Sequence, residues 1–275
     1  MPVPEDWLVP DWPAPSNVYA LFTTRAGGVS VAPFDSLNLG DPVHDDPVAV
    51  ATNRARLGQC LGARPVFLQQ VHGTAVATLD RHTPDGTVAD ACVTTRPGIA
   101  CTVMVADCLP VLFTDTEGAV VAAAHAGWRG LVGAGAGGAG QGVLENSWAA
   151  LVATLQTLQP RRTQEQIAAN TLVWLGPCIG PEAFEVGQEV RAAFVAWRPD
   201  AARCFEPLPA QGKSLANLPQ LARLRLRAMG ITQLFGNDGT PAWCTVTQAS
   251  RFFSHRRDAV RLGSTGRMAA CIHIG

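Results

Sequence analysis

Residues 89–130 read ADACVTTRPGIACTVMVADCLPVLFTDTEGAVVAAAHAGWRG. Four apolar runs lie in this stretch: Ala89–Thr94, Ile99–Val105, Val111–Thr114 and Ala119–His125, parted by Gly, Pro and Asp turns. Runs this short and this continuously apolar predict strands buried on both faces, because a sheet with one wet face would alternate apolar with polar. Working outward, Val66–Val71 and Ala75–Leu79 add two strands on the N-terminal side, and residues 17–24 add another before a polar loop with Pro33, Asp35, Ser36 and Gly40. Asp46–Leu61 places Val48, Val50, Leu57 and Leu61 near helical spacing, with Asp45 and Asp46 as cap candidates. On the C-terminal side the pattern predicts helices over 142–158, 183–197 and 218–229, the last ended by Gly230. Strands are expected over 170–175, 231–235 and 242–246 and in the closing RMAACIHI. The order is mixed, not a strict βαβ alternation, and no linker forces a cut. The reading is one compact α/β domain over 1–275, with mixed β-sheets flanked by helices.

Composition narrows the function. The chain has 275 residues, 47% of them hydrophobic, and a mean hydropathy of +0.13, enough apolar material for a large core. Lys and Arg number 21 against 22 Asp and Glu, and Lys213 is the only lysine. So balanced a chain offers no basic field for a nucleic acid. The longest apolar stretches are too short to cross a bilayer, and the N-terminus lacks a signal-peptide pattern, so the expectation is a protein with no membrane partner, kept in the cytoplasm. Eight scattered cysteines without a CxxC pair fit that compartment.

Three segments put a metal-binding side chain at a strand end beside a turn: QVHG (70–73), ADCLP (106–110) and HAGWRG (125–130). His72, Cys108 and His125 together make two imidazoles and one thiolate with a fourth position open, the ligand set of a catalytic zinc site. They are far apart in sequence, so only the fold can unite them. A buried structural cysteine and two hydrogen-bonded histidines is the plain alternative. Asp107, next to the cysteine, should point away from such a site in an extended strand end and anchor a turn or a histidine N–H instead. The segment LVGAGAGGAGQG (131–142) reads as a mobile low-complexity loop. Its Gly133, Gly135 and Gly138 match GxGxxG, but no acidic residue about twenty positions on completes a dinucleotide site.

QVHG, ADCLPVLF, HAGWRG, LGPCIGPEAFEVGQEV, the early TTRAGGVS with SLNLG and the late FFSHRRD with TGRMA resemble, in order and across nearly the whole chain, the YfiH or laccase-domain family. The resemblance implies a zinc site at His72, Cys108 and His125. It also implies phosphorolysis of adenosine, inosine and 5'-methylthioadenosine, together with adenosine deamination. A purine nucleoside and phosphate would then be the partners, with the chain a monomer or a homodimer. Phosphorolysis needs positive charge and donors for a dianion, and Arg129 in HAGWRG is the first candidate, Arg54 and Asn38 the second. Arg256 and Arg257 either face an anionic substrate or pair with Asp258, and Cys178 of GPCIGP is read as structural. Three departures from the family pattern bear on the cleft and its selectivity: the long 131–142 segment, the lengthened AVRLGS and the text around Ala216–Leu218. The family's copper-oxidase label requires around ten histidines, whereas this chain has six. A cysteine hydrolase using Cys108 and His125, with Asp107 or Asn38 as orienter, and a partner-binding protein with structural zinc are the competing readings.

Overall fold

The computed structural model describes residues 2–41, 43–133 and 140–275. The run that opened the reading is a set of strands: β4 (Ala91–Thr94), β5 (Ile99–Val105), β6 (Leu109–Asp115) and β7 (Val121–Ala126). They do not share one sheet. A six-stranded mixed sheet runs β12 (Gln233–Gly236), β8 (Thr171–Leu175), β6, β7, β4, β3 (Val76–Thr78), with β12–β8 and β3–β4 parallel and the rest antiparallel. A four-stranded mixed sheet runs β1 (Val18–Phe22), β13 (Met268–Ile274), β5, β2 (Arg64–Phe67). The chain passes from one sheet to the other in the three residues between β5 and β6, the Ala106-Asp107-Cys108 connection.

Side-chain alternation explains the layering. Cys101, Val103 and Val105 of β5 meet Leu112, Val121, Ala123 and Trp174 of the other sheet in a core between the two sheets. Val111, Phe113, Ala122 and Ala124 point the opposite way, onto Leu144, Trp148, Leu151 and Leu155 of α3 (Val143–Leu158) and onto Leu221 and Leu226 of α6 (Leu218–Ala228). Leu57 and Leu61 of α1 (Pro47–Leu61) close the outer face of the smaller sheet over Ala100, Ala269 and Cys271. The result is helix, sheet, sheet, helix, so both sheets are covered on both faces. That is why their strands read as unbroken apolar runs.

The sequence-based elements agree in type across most of the chain. Asp46 caps α1 through Val48 N–H, with Pro47 at the first helical position. Two expectations differ. Residues 242–246 form no strand, because Pro241 opens a short 3₁₀ turn and only Cys244 bridges, to Cys178. The helix expected from 183 starts at Gln188 as α5 (Gln188–Trp197), since β9 (Glu185–Gly187) comes first and joins β10 (Phe205–Pro207) and β11 (Lys213–Ala216) in a small third sheet. Unforeseen were α2 (Trp128–Val132), α4 (Gln164–Ala169) and α7 (His255–Leu262). The loop and GxGxxG readings over 131–142 fall largely on residues 134–139, outside the described residues. No described helix is long and apolar enough to cross a membrane.

Candidate active site

His72, Cys108 and His125 converge where the two sheets meet. One donor atom from each lies within 4.8 Å of the other two, the only such group of metal-binding side chains found among the described residues. Cys108 Sγ stands 3.7 Å from His72 Nε2, and the two imidazoles meet edge to face at 4.8 Å. His125 is buried at the end of β7, Cys108 is half-buried and His72 is exposed to the cavity.

Each donor is fixed by backbone. Gln70 bonds both ways to Met104 of β5, through Nε2 to its carbonyl and Oε1 from its N–H, which docks the QVHG turn on the smaller sheet. His72 sits at φ 60, a left-handed conformation that is costly for a side chain of this kind and has to be held by its surroundings. Asp90 does the holding. Its buried carboxylate accepts the N–H groups of Val71, His72 and Gly73 at 2.7–3.1 Å and also bonds His125 Nδ1 at 2.9 Å. Burial works against the charge on Asp90, yet the His125 contact and the turn amides keep its pKa below the ordinary carboxylate value. One side chain thus shapes one histidine's turn and orients the other's ring, leaving the second nitrogen of His125 free toward the cysteine.

Asp107 also has a positive φ, 88. Its carboxylate turns away from the three donors, taking the Thr245 hydroxyl and, at 2.6 Å, the Arg256 N–H at the start of α7. Gly127, the N-cap of α2, is there for space: a Cβ would come within 3.0 Å of both Cys108 Sγ and His72 Cδ2. Gly130 lets α2 sit on the QVHG turn, since a Cβ would lie 2.7 Å from the Gly73 carbonyl.

The electrostatics favour a thiolate. Burial raises the Cys108 pKa, but the His125 charge and the bonds from His125 and His72 overcome it and bring it to about 6. His125 responds in kind: burial lowers it, while Cys108 and Asp90 lift it to about 9. A thiolate and two imidazoles suit zinc, and ligand atoms around a tetrahedral zinc stand roughly 3.3–3.8 Å apart. The 3.7 Å Cys108–His72 separation matches this, and a pair at the full 4.8 Å spread would close by about 1 Å on binding. The residues therefore fit a metal with one coordination position left open.

The three donors form the floor of a cavity of about 780 Å³, the size of a small-molecule site. Apolar walls come from Phe67, Leu68, Ile179, Phe184 and Leu218, and the cations are Arg54, Arg256 and Arg267. The structure gathers only some of the anion-binding candidates. Arg54 lines the cavity, stacked 4.1 Å over Phe67 and ion-paired to Asp41 at 2.7 Å. Arg129 does not line it: exposed on α2, its guanidinium lies 4.6 Å over the Trp128 ring. Asn38 is fully buried outside the cavity, and its amide is spent on Gly40, Asp45 and the Arg267 N–H. Arg257 is spent on Asp258 and on the carbonyls of Thr245, Val246 and Phe252, and Cys178 is buried against Asn237. Asp90 and Arg267 were missed by sequence reading. Asp90 carries no motif signal beyond its place before β4, whereas Arg267 stands inside the quoted TGRMA.

These features define a mixed-sheet α/β protein with an open His–Cys–His centre at the bottom of a small-molecule cavity. Residues 19–275 match the family model described as multi-copper polyphenol oxidoreductase laccase, and the chain belongs to this YfiH or laccase-domain family. It is 48% identical over 269 residues to a purine nucleoside phosphorylase of Pseudomonas aeruginosa, covering 98% of both chains. It is 45% identical over 269 residues to the purine nucleoside phosphorylase YfiH of Escherichia coli, covering 97% of this chain and 98% of that one. The crystal structure of Neisseria meningitidis protein NMB0706 superposes with a TM-score of 0.84 at 44% identity, covering 98% of this chain and 99% of that one.

Proposed function

We propose that this protein is a zinc-dependent purine nucleoside phosphorylase acting on adenosine, inosine and 5'-methylthioadenosine, with adenosine deaminase activity at the same centre. The observation that carries the reading is the set His72, Cys108 and His125, three metal-binding donors with one position open on the floor of a nucleoside-sized cavity. The purine nucleoside phosphorylases of Pseudomonas aeruginosa and Escherichia coli, near half-identical over their whole length, support the substrate class. In phosphorolysis a phosphate oxygen bonds to C1' as the C1'–N bond breaks. The electron pair leaves with the base, which takes up a proton, and ribose 1-phosphate is the other product. In deamination water adds at C6 and ammonia departs. Zinc would supply Lewis acidity and lower the pKa of water at the open position. Within the chain, Asp90 orients His125, the apolar wall with Phe184 and Ile179 offers a surface for a flat base, and cationic charge in the cavity draws the phosphate.

A second reading is favoured by one observation, the aligned Cys108, His125 and Asp90. A thiolate beside an imidazole whose other nitrogen bonds a carboxylate is also the arrangement of a cysteine nucleophile. The test is a nucleoside panel assayed with and without phosphate on metal-quantified protein, following base release. Phosphate-dependent release of adenine supports the phosphorylase. Turnover that is unchanged after complete chelation and abolished by a thiol alkylator supports the cysteine nucleophile instead.

A further inference from the structure

The SLNLG loop is built around one arginine. Asn38 Oδ1 accepts the Arg267 N–H at 2.8 Å, and Leu39 N–H donates to the Arg267 carbonyl at 3.1 Å. Gly40 lies so close to the same residue that a Cβ there would stand 2.6 Å from Arg267 Cγ and 3.1 Å from its Cβ. A loop nearly 230 positions away in sequence therefore clamps Arg267 from both backbone directions and clears a path for its stem. Asn53 of α1 secures the clamp in turn, donating to the Asn38 carbonyl at 2.9 Å.

The guanidinium is left with work undone. Arg267 Nη1 donates to the carbonyls of Thr265 and Gly266, at 2.9 and 3.2 Å. That fixes one edge, while among the described residues Nε and Nη2 have no hydrogen-bond partner and no carboxylate lies at ion-pair distance, although Cys108 and Asp107 are near enough for their charges to act on this cation. The residue lines the same cavity as Cys108 and the two histidines. The other cations there are committed. Arg54 is ion-paired to Asp41 and bonded to the Leu39 carbonyl, and Arg256 is exposed with both Nη atoms given to the carbonyls of Ala183 and Glu185. A half-buried guanidinium with an open two-nitrogen edge is shaped for a bidentate contact with a tetrahedral oxyanion, a geometry lysine does not reproduce.

We propose that Arg267 binds the phosphate co-substrate beside the His72–Cys108–His125 centre, and that Asn38, Leu39 and Gly40 are its positioning residues. This rests on the phosphorylase reading, and it replaces direct phosphate contacts from Asn38 and Arg129 with a single anchored arginine. In the step itself Arg267 holds the phosphate whose oxygen forms the new C1'–O bond, while the leaving base carries off the electron pair of the broken C1'–N bond.

The test compares wild type, R267K and R267Q, each zinc-loaded, by steady-state kinetics at varied phosphate and varied nucleoside, by zinc content, and by calorimetric titration with inorganic phosphate alone. R267Q is expected to raise the KM for phosphate at least about tenfold, the scale of a lost charge-assisted hydrogen bond. The KM for adenosine should stay within about twofold and zinc content should not change; R267K should recover part of the phosphate affinity by its charge. An unchanged phosphate KM in R267Q, or zinc lost in step with activity, overturns the assignment. Should wild type release no base with phosphate, the phosphorylase reading fails on its own, and calorimetry still decides Arg267: phosphate binding abolished in R267Q supports the anion site, and equal binding overturns it. If R267Q does not fold by circular dichroism, R267K carries the same comparison, with weakened phosphate binding expected and unchanged binding contrary.

Discussion

The floor and the rim of the cavity are built in different ways. On the floor, His125 comes from the end of β7, Cys108 from the connection entering its paired strand β6, and His72 from a turn tied down by five bonds through Asp90 and Gln70. At the rim, Arg54 of α1 and Arg256 of α7 are long side chains, partly or wholly exposed and held by carbonyls and a single ion pair, and His255 beside Arg256 is exposed. A floor built on a strand end, a sheet-to-sheet connection and a tied turn brings the donors near the places a metal requires. A rim of exposed side chains is less constrained by the backbone, so substitutions there are expected to disturb the metal-binding group least.

Breaking the floor should therefore cost most. Cys108→Ser removes a donor outright, and zinc affinity should fall by more than about 100-fold, beyond the 10–100-fold typical when only the group behind a ligand is lost; full metal occupancy in this variant would remove Cys108 from the ligand set. Asp90→Asn comes next, at about 10–100-fold weaker zinc binding, because it both releases the QVHG turn and misorients His125. Metal titration against a competing chelator checks both.

Without metal the floor is an ion pair, and its stability follows pH from both sides. Cys108, lowered to about 6, gives stability that is lost as pH falls through about 6; His125, raised to about 9, gives stability that is lost as pH rises through about 9. The melting temperature of metal-free protein should be highest between these limits, and Cys108→Ser should flatten the profile. A profile that does not respond to the substitution would contradict the ion pair.

Gly127→Ala sharpens the comparison further. Its φ of −69 is ordinary, so the added methyl acts only by pushing Cys108 and His72. Zinc binding should weaken by roughly threefold to tenfold, less than the 10–100-fold typical when a supporting group is removed outright, with the melting temperature nearly kept. Gly130→Ala is expected to do the reverse, lowering the melting temperature first, because its methyl meets the Gly73 backbone carbonyl. The smallest effect belongs to Arg129→Gln. This exposed residue outside the cavity should change zinc content, phosphate KM and stability by less than about twofold or ~0.5 kcal/mol. A large loss of phosphorolysis there would return Arg129 to the site.

What could be read from the sequence follows the same division. The buried strands were legible because both sheets are covered on both faces, which leaves long apolar runs such as Leu109–Asp115 and Val121–Ala126. The three candidate metal ligands could be picked out because each sits beside a turn with its own glycine or proline, and the fold brings them together. That the runs split into two sheets at Asp107 was not legible, since a left-handed aspartate leaves no mark in the text. Asp90 was hidden because its partners are backbone amides, which carry no residue identity. Asn38 and Arg267 were both quoted in motifs, but that Arg267 lines the cavity while Asn38 is buried behind it rests on a contact across 229 positions. The strand expected at 242–246 failed because Pro241 and the Cys178 neighbour make it a turn.

The central claim is that the floor is a working metal centre and not a nucleophile or a structural clip. It is tested most directly by chelating the protein, assaying phosphate-dependent base release from adenosine, restoring zinc to one equivalent and assaying again. The expected result is loss of activity with the metal and its recovery with zinc, at about one zinc per chain. Base release that survives complete removal of metal would contradict the account.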